Sequence, residues 1–242
     1  MKILIVMPTY NQEKYLKESV ESVLNQTFKD WRLVIADDGS TDSTSEILKI
    51  FTDPRIEIYT KKNGGTGMAL NFGFSKAKDE EYQTWWSSDS LMKPEFLEKL
   101  SYFLDHNDFD LVYCATEQWE ESTDRRWPLS EQADQTWEKG KLLKYCFLGI
   151  GWLWKKWLKD KAGEYQTEIC EDYDMHLRMS ELSDKFYFLN EFLVTNRIHP
   201  ETLTSKNSAS DDPDCYSRIV QSKARKRRGH LKIANVHPRW DE

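Results

Sequence analysis

LVIADDGSTDST, residues 33–44, passes from an apolar run to a pair of acids and then to turn residues within a few positions. Trp31 to Ala36 has the near-continuous hydrophobicity of a strand buried on both faces. Asp37-Asp38-Gly39-Ser40 follows as a polar turn. Ser43 to Glu46 matches a capping box, and Ile47, Leu48 and Phe51 continue as one helical face. The order is therefore strand, polar turn, helix. The same order recurs on either side. Ile3 to Met7 is a short apolar strand ending in Pro8-Thr9-Tyr10-Asn11, and Tyr15, Leu16, Ser19, Val20, Val23 and Leu24 then fall at helical spacing. Ile56 to Tyr59 leads into the glycine-rich stretch Asn63 to Gly67 and a helix over 68–77. Tyr82 to Trp86 ends in Ser87-Ser88-Asp89-Ser90, after which Pro94 opens a helix with Phe96, Leu97, Leu100, Phe103 and Leu104 on one side. Leu111 to Ala115 is a fifth strand.

This alternation predicts an α/β fold: a mostly parallel central sheet flanked by helices, with right-handed crossovers. Ligands of such sheets sit beyond the carboxyl ends of the strands. The four polar turns should thus meet on one rim. The second half is less regular. Residues 117–140 are polar and aperiodic and read as a long loop. Gly149 to Trp157 is aromatic, Glu171 to Leu182 reads as a helix, and Phe186 to Leu189 and Phe192 to Arg197 read as short strands. The expected organisation is a binding half over 1–116, a second half of the same domain over 117–205, and a polar, basic extension over 206–242.

Bulk properties narrow the function. The 242 residues carry a formal net charge of −7, which argues against a polycation for nucleic acid. The first apolar run has five residues before Pro8, too short for a secretory core or a membrane span, so a cytoplasmic protein is expected. The four cysteines are scattered without a C-x-x-C pair and read as reduced thiols. No G-x-G-x-x-G follows the first strand, and no P-loop or G-x-S-x-G is present.

MPTYNQEKYLKESVESVLNQTF, LVIADDGSTDST, KKNGG-x-G-x-A-x-N-x-G, SSDSLMKP and CEDYDMHLRM, in this order over residues 1 to about 200, resemble a family 2 glycosyltransferase of the GT-A, Rossmann-like fold. The resemblance implies transfer of a sugar from a nucleotide-diphosphate donor, most of all a UDP-sugar, to an acceptor hydroxyl with inversion. Pro8, Thr9, Tyr10, Glu13, Asp38, Asn63, Gly65 and Ser88 are then nucleotide-binding candidates. Asp38 would accept from the base, and Tyr10 would stack on it. Asp89 matches the last acid of the family's D-x-D metal motif, reduced here to S-x-D by Ser87. It would hold Mn²⁺ or Mg²⁺ with the donor's phosphates, and His199 is a second candidate ligand. Asp172, preceded by Glu171, matches the catalytic base. Gly151, Trp152 and Trp154 are candidates for acceptor contact, against an equal expectation that the tryptophans are core. Leu70 stands where many relatives carry arginine, which leaves Lys61, Lys62 or Arg197 as cations for the donor. The run Lys223 to Arg228 reads as a solvated face, or as a contact with an anionic inner membrane leaflet that would suit a lipid-linked saccharide acceptor. The Ser87 and Leu70 departures keep a rival open, a non-catalytic module binding sugar nucleotides or glycans.

Overall fold

A computed structural model of the chain describes residues 2–129, 136–138, 140–166, 170–202 and 215–228. The first five strands follow the apolar runs: β1 Ile3–Thr9, β2 Trp31–Asp37, β3 Ile56–Thr60, β4 Tyr82–Trp85 and, after a short β5 at Leu91–Met92, β6 Leu111–Glu120. Between them lie α1 Leu16–Leu24, α2 Thr44–Leu48, α3 Thr66–Phe74 and α4 Phe96–His106. The later elements are β7 Arg125–Pro128, a 3₁₀ turn Lys141–Leu143, β8 Trp152–Lys155, α5 Lys156–Ala162, α6 Glu171–Leu182, β9 Phe186–Ile198 and α7 Cys215–Arg227.

Among the described residues the strands form one nine-stranded sheet in the order β3-β2-β1-β4-β8-β6-β9-β5, with β7 paired to β6. Strands β1 to β4, β6 and β9 run in one direction, and β5, β7 and β8 oppose them. The period of two along each strand divides the core. Ile3, Ile5, Met7, Leu33 and Ile35 face the side covered by α1 and α4. Leu4, Val6, Val34, Trp152 and Trp154 face the side of α3, α5, α6 and α7. Helix α3 lies so close to β1 that a Cβ on Gly73 would stand 2.3 Å from Val6 Cγ1.

Several sequence expectations change. The expected capping box does not form, since Ser43 makes no side-chain cap bond. Asp42 accepts from the Thr44 N–H at 2.9 Å instead. Residues 117–128 are no loop: β6 runs through the expected boundary at 116/117 to Glu120 and returns as β7. The polarity of this hairpin hid it, because its outer strand has no apolar face to bury. Phe186–Ile198 is one strand with register irregularities opposite Cys114–Thr116 rather than two strands. The basic run is the end of α7, and its three arginines have partners within the fold. Arg225 donates to the Leu143 carbonyl at 3.0 Å, Arg227 to Glu181 at 3.0 Å, and Arg228 to Ser180 Oγ at 2.6 Å. These arginines hold α6 and the 141–143 turn, while Lys226 and Arg227 keep exposed surface. Much of the expected 206–242 extension lies outside the described residues. No described helix is long and apolar enough to cross a membrane.

Candidate active site

The ends of β1 and β2 form one floor. The Asp38 N–H donates to the Thr9 carbonyl at 2.8 Å. Asn11, in the left-handed region at φ 52°, accepts the Thr41 N–H at 2.8 Å and donates its own N–H to Ser40 Oγ at 2.9 Å. Glu13 accepts the Ser43 N–H at 2.9 Å, so its carboxylate joins two loops. Pro8 is half-buried and Thr9 buried, while Tyr10 stands 45% exposed above them. Asp37 closes its own turn by accepting from the Ser40 N–H and hydroxyl at 3.0 and 2.6 Å.

Asp38 is buried, and its oxygens accept from Lys61 Nζ at 2.5 Å, from the Gly64 N–H at 3.1 and 3.0 Å, and from the Gly65 N–H at 2.7 Å. Three donors, with the Gly64 N–H shared between both oxygens, thus tie the glycine loop to Asp38. The same loop leaves Asn63 and Gly65 exposed on the rim.

The turn after β4 is held from beneath by Ser19 of α1, whose hydroxyl donates to the Ser87 carbonyl at 2.8 Å. Asp89 Oδ1 accepts from Ser87 Oγ at 2.6 Å and Ser90 Oγ at 3.0 Å. Its Oδ2 lies 3.3 Å from His199 Nε2. The His199 ring rests on Tyr15, centroids 4.2 Å apart. Burial alone would raise the Asp89 pKa, but hydrogen bonds from His199, Ser87 and Ser90 and the imidazole charge outweigh it, so the carboxyl is held below its ordinary value. Beside it a cleft of about 330 Å³ opens between Tyr15, Glu120, Glu121, Ser122, Ile198, His199 and Pro200. Ser88 is buried, 5% exposed, and offers a nucleotide little surface.

An ionised oxygen ligand beside an imidazole suits a hard divalent cation. Among the described residues no three His, Cys, Asp or Glu side chains form a metal-holding group. Of the described residues Asp89 and His199 are the two side chains placed to serve, and a diphosphate and waters would have to complete six-coordination. Arg197 is not available to that diphosphate. It donates to the Asp89 carbonyl at 3.1 Å and to Glu121 at 2.5 Å, pairs with Glu18, and lies between the rings of Tyr15 and Trp119. Leu70 is buried in the core, and Lys61 is engaged by Asp38, which leaves Lys62 exposed.

Glu171 and Asp172 open α6. Cys170, at φ 65°, bends the chain into the helix; such a conformation in a non-glycine residue persists only where packing enforces it. At the far end of α6, Ser183 Oγ donates to Asp110 Oδ2, just before β6, at 2.7 Å. The helix therefore starts at the rim and ends at the opposite edge of the sheet. His176 packs against Trp152, centroids 4.3 Å apart, and the Trp152 carbonyl accepts from Thr84 of β4 at 2.7 Å. Asp89 and Asp172 consequently belong to the same rim on opposite faces of the sheet. Burial raises the pKa of both acids of the pair, and for Glu171 the charge of Asp172 adds to it.

Trp152 and Trp154 are 1% and 0% exposed, so neither ring has a face to offer an acceptor. Gly151 is also core, since a Cβ there would meet Cys114 Sγ at 2.6 Å. These three acceptor contacts are withdrawn: the aromatic stretch is a sheet strand. One tether went unread. Asn71 of α3 exchanges two hydrogen bonds with the Tyr165 backbone, at 2.8 and 2.7 Å. The signal was an asparagine inside an otherwise apolar helix.

The profile of glycosyl transferase family 2 matches residues 4–165. An uncharacterized glycosyltransferase of Rickettsia typhi is 31% identical over 229 residues, 90% of this chain and 70% of that protein. The chondroitin synthase of Pasteurella multocida is 29% identical over 233 residues, 93% of this chain and 23% of that longer protein. Residues 1–349 of S. aureus TarS, solved with UDP-GlcNAc, superpose with a TM-score of 0.72 at 18% identity, over 96% of this chain and 74% of that one; at such identity the likeness is one of fold. With the sheet order and the rim already described, the profile match places the chain in glycosyl transferase family 2.

Proposed function

We propose that the protein transfers a sugar from a nucleotide-diphosphate donor, a UDP-sugar before others, to a hydroxyl of a glycan or lipid-linked saccharide, with inversion. The observation that carries this reading is the contrast of two acids on one rim, Asp89 held ionised and the Glu171–Asp172 pair held toward protonation. The TarS complex supports a UDP-sugar, and chondroitin synthase supports a glycan acceptor. Tyr10, Asn63 and Gly65 present the exposed surface for the nucleotide. Asp38 acts behind them by shaping the loop.

The chemistry follows from the two acids. The acceptor oxygen attacks the anomeric carbon from the side opposite the diphosphate. Its proton passes to the Asp172 carboxylate, and the bond from the anomeric carbon to the diphosphate oxygen breaks with its electron pair leaving on the diphosphate. Such a base contributes about 10² to 10⁴ in rate. The raised proton affinity that burial gives the pair suits the acceptance of that proton. Asp89 and His199 are the residues that would hold Mn²⁺ or Mg²⁺, whose charge would offset that of the departing diphosphate.

Thermal shift with UDP, GDP and CDP, with and without Mn²⁺, tests the donor site by mass action. A shift for UDP that requires the metal and disappears in Asp89→Ala is expected. Equal shifts in Asp89→Ala would remove Asp89 from the site. Release of free nucleotide from a panel of UDP-sugars tests turnover. UDP binding with no release from any of them would favour the non-catalytic module.

A further inference from the structure

Helix α7 lies beyond residue 165, where the family match ends, yet it reaches the acidic pair. Val220 and Ala224 bury it in the core shared with α6. Gln221, 3% exposed, spends both amide hydrogens. One goes to the Lys144 carbonyl at 3.1 Å and the other to the Tyr173 hydroxyl oxygen at 3.0 Å. The Tyr173 hydroxyl donates onward to the Leu142 carbonyl. Flipping the amide would set its oxygen against two acceptors, so the orientation follows from the network. Tyr173 is also the residue whose backbone N–H holds Asp172 Oδ1, at 2.7 Å. The side chain fixed by Gln221 and the amide that orients the catalytic carboxylate thus belong to one residue.

We propose that Gln221 is a positioning residue for the acidic pair, acting through Tyr173, and that α7 is part of the catalytic unit. The inference rests on the reading of Asp172 as the base. It separates two roles along one helix. Arg228 clamps the far part of α6 through Ser180 and the Leu177 carbonyl and serves stability, whereas Gln221 governs the aim of Asp172; Arg227 spans both parts, pairing with Glu181 and, at 3.6 Å, with Asp174 of the first turn.

The test compares Gln221→Leu, Tyr173→Phe, Arg228→Ala and Asp172→Asn in the 242-residue chain, by sugar transfer against pH and by Tm. Gln221→Leu is expected to lower kcat about tenfold, the size of one lost buried hydrogen bond. KM for the donor should stay unchanged, and the acid limb should move to lower pH as the carboxylate meets more water. Tyr173→Phe should do the same. Arg228→Ala should lower Tm and leave kcat and the limb in place. If Gln221→Leu does not fold, Tyr173→Phe decides alone. Wild-type kcat and acid limb in the folded variants, beside a dead Asp172→Asn, would overturn the inference and spare the base. Wild-type transfer by Asp172→Asn would overturn both.

Discussion

The turn after β4 and the start of α6 carry acids that face the same rim and are prepared in opposite ways. Around Asp89 the chain gathers two hydroxyls and an imidazole, and these outweigh the cost of burial. Around Glu171 and Asp172 it gathers little besides backbone amides, and burial wins. An acid that must stay charged beside a cation needs donors, whereas one that must accept a proton needs their absence. The folding linkage differs in the same sense. Asp89, depressed on folding, adds stability above the ordinary aspartate range, and that stability is lost as pH falls. The 171–172 pair, raised on folding, favours the fold below the ordinary carboxylate range and loses that contribution as pH rises through the folded values.

The contrast can be broken at its stronger pole first. Asp172→Asn should cut transfer by about 10² to 10⁴ with nucleotide binding intact; calorimetry with UDP and Mn²⁺ beside a transfer assay checks both halves. Asp89→Ala should lose metal-dependent UDP binding together with transfer, by about 10² or more if charge stabilisation at the diphosphate is its role. The same titration on that variant reads it. A third test uses pH. Transfer should climb through the region above ordinary carboxylate pKa values, because the base works only when ionised, and the climb should be lost in Asp172→Asn; a climb that survives in that variant would mean another group sets it. The smallest effect is on stability. Glu171→Gln removes a charge that the fold disfavours, so its Tm should exceed wild type by a margin that grows from pH 5 to pH 8; a margin that shrinks reverses the assigned shift. Outside the site, Gly73→Ala should destabilise by about 1–3 kcal/mol through overpacking against Val6, read by denaturant unfolding.

The first four strand ends were legible because each is a local pattern: an apolar run, a polar turn and a helical stripe within about thirty residues. Tyr10, Asn63 and Asp89 follow β1, β3 and β4 as that pattern expects, whereas Asp172 was marked only by its likeness to the family's base. Trp152 and Trp154 were not legible, since a large aromatic ring looks the same in sequence whether it packs in a core or waits for a sugar. Asp38 was legible only in part, for a related reason. Its acidity and position were plain, but the donors that fill it come from residues 61–65, beyond any local period. The arginines of α7 pair with residues more than forty positions away, so a run that reads as a free basic face is committed to α6.

What the sequence alone determined was the order of strands and helices, the rim at which the polar turns meet, and the kinds of acid placed there. Those follow from side-chain periodicity, which burial enforces within each element. What only the tertiary structure decided was the state of each acid and which cations remained free. A carboxylate's proton affinity depends on desolvation and on donors brought from distant segments, and these exist only once the chain has packed.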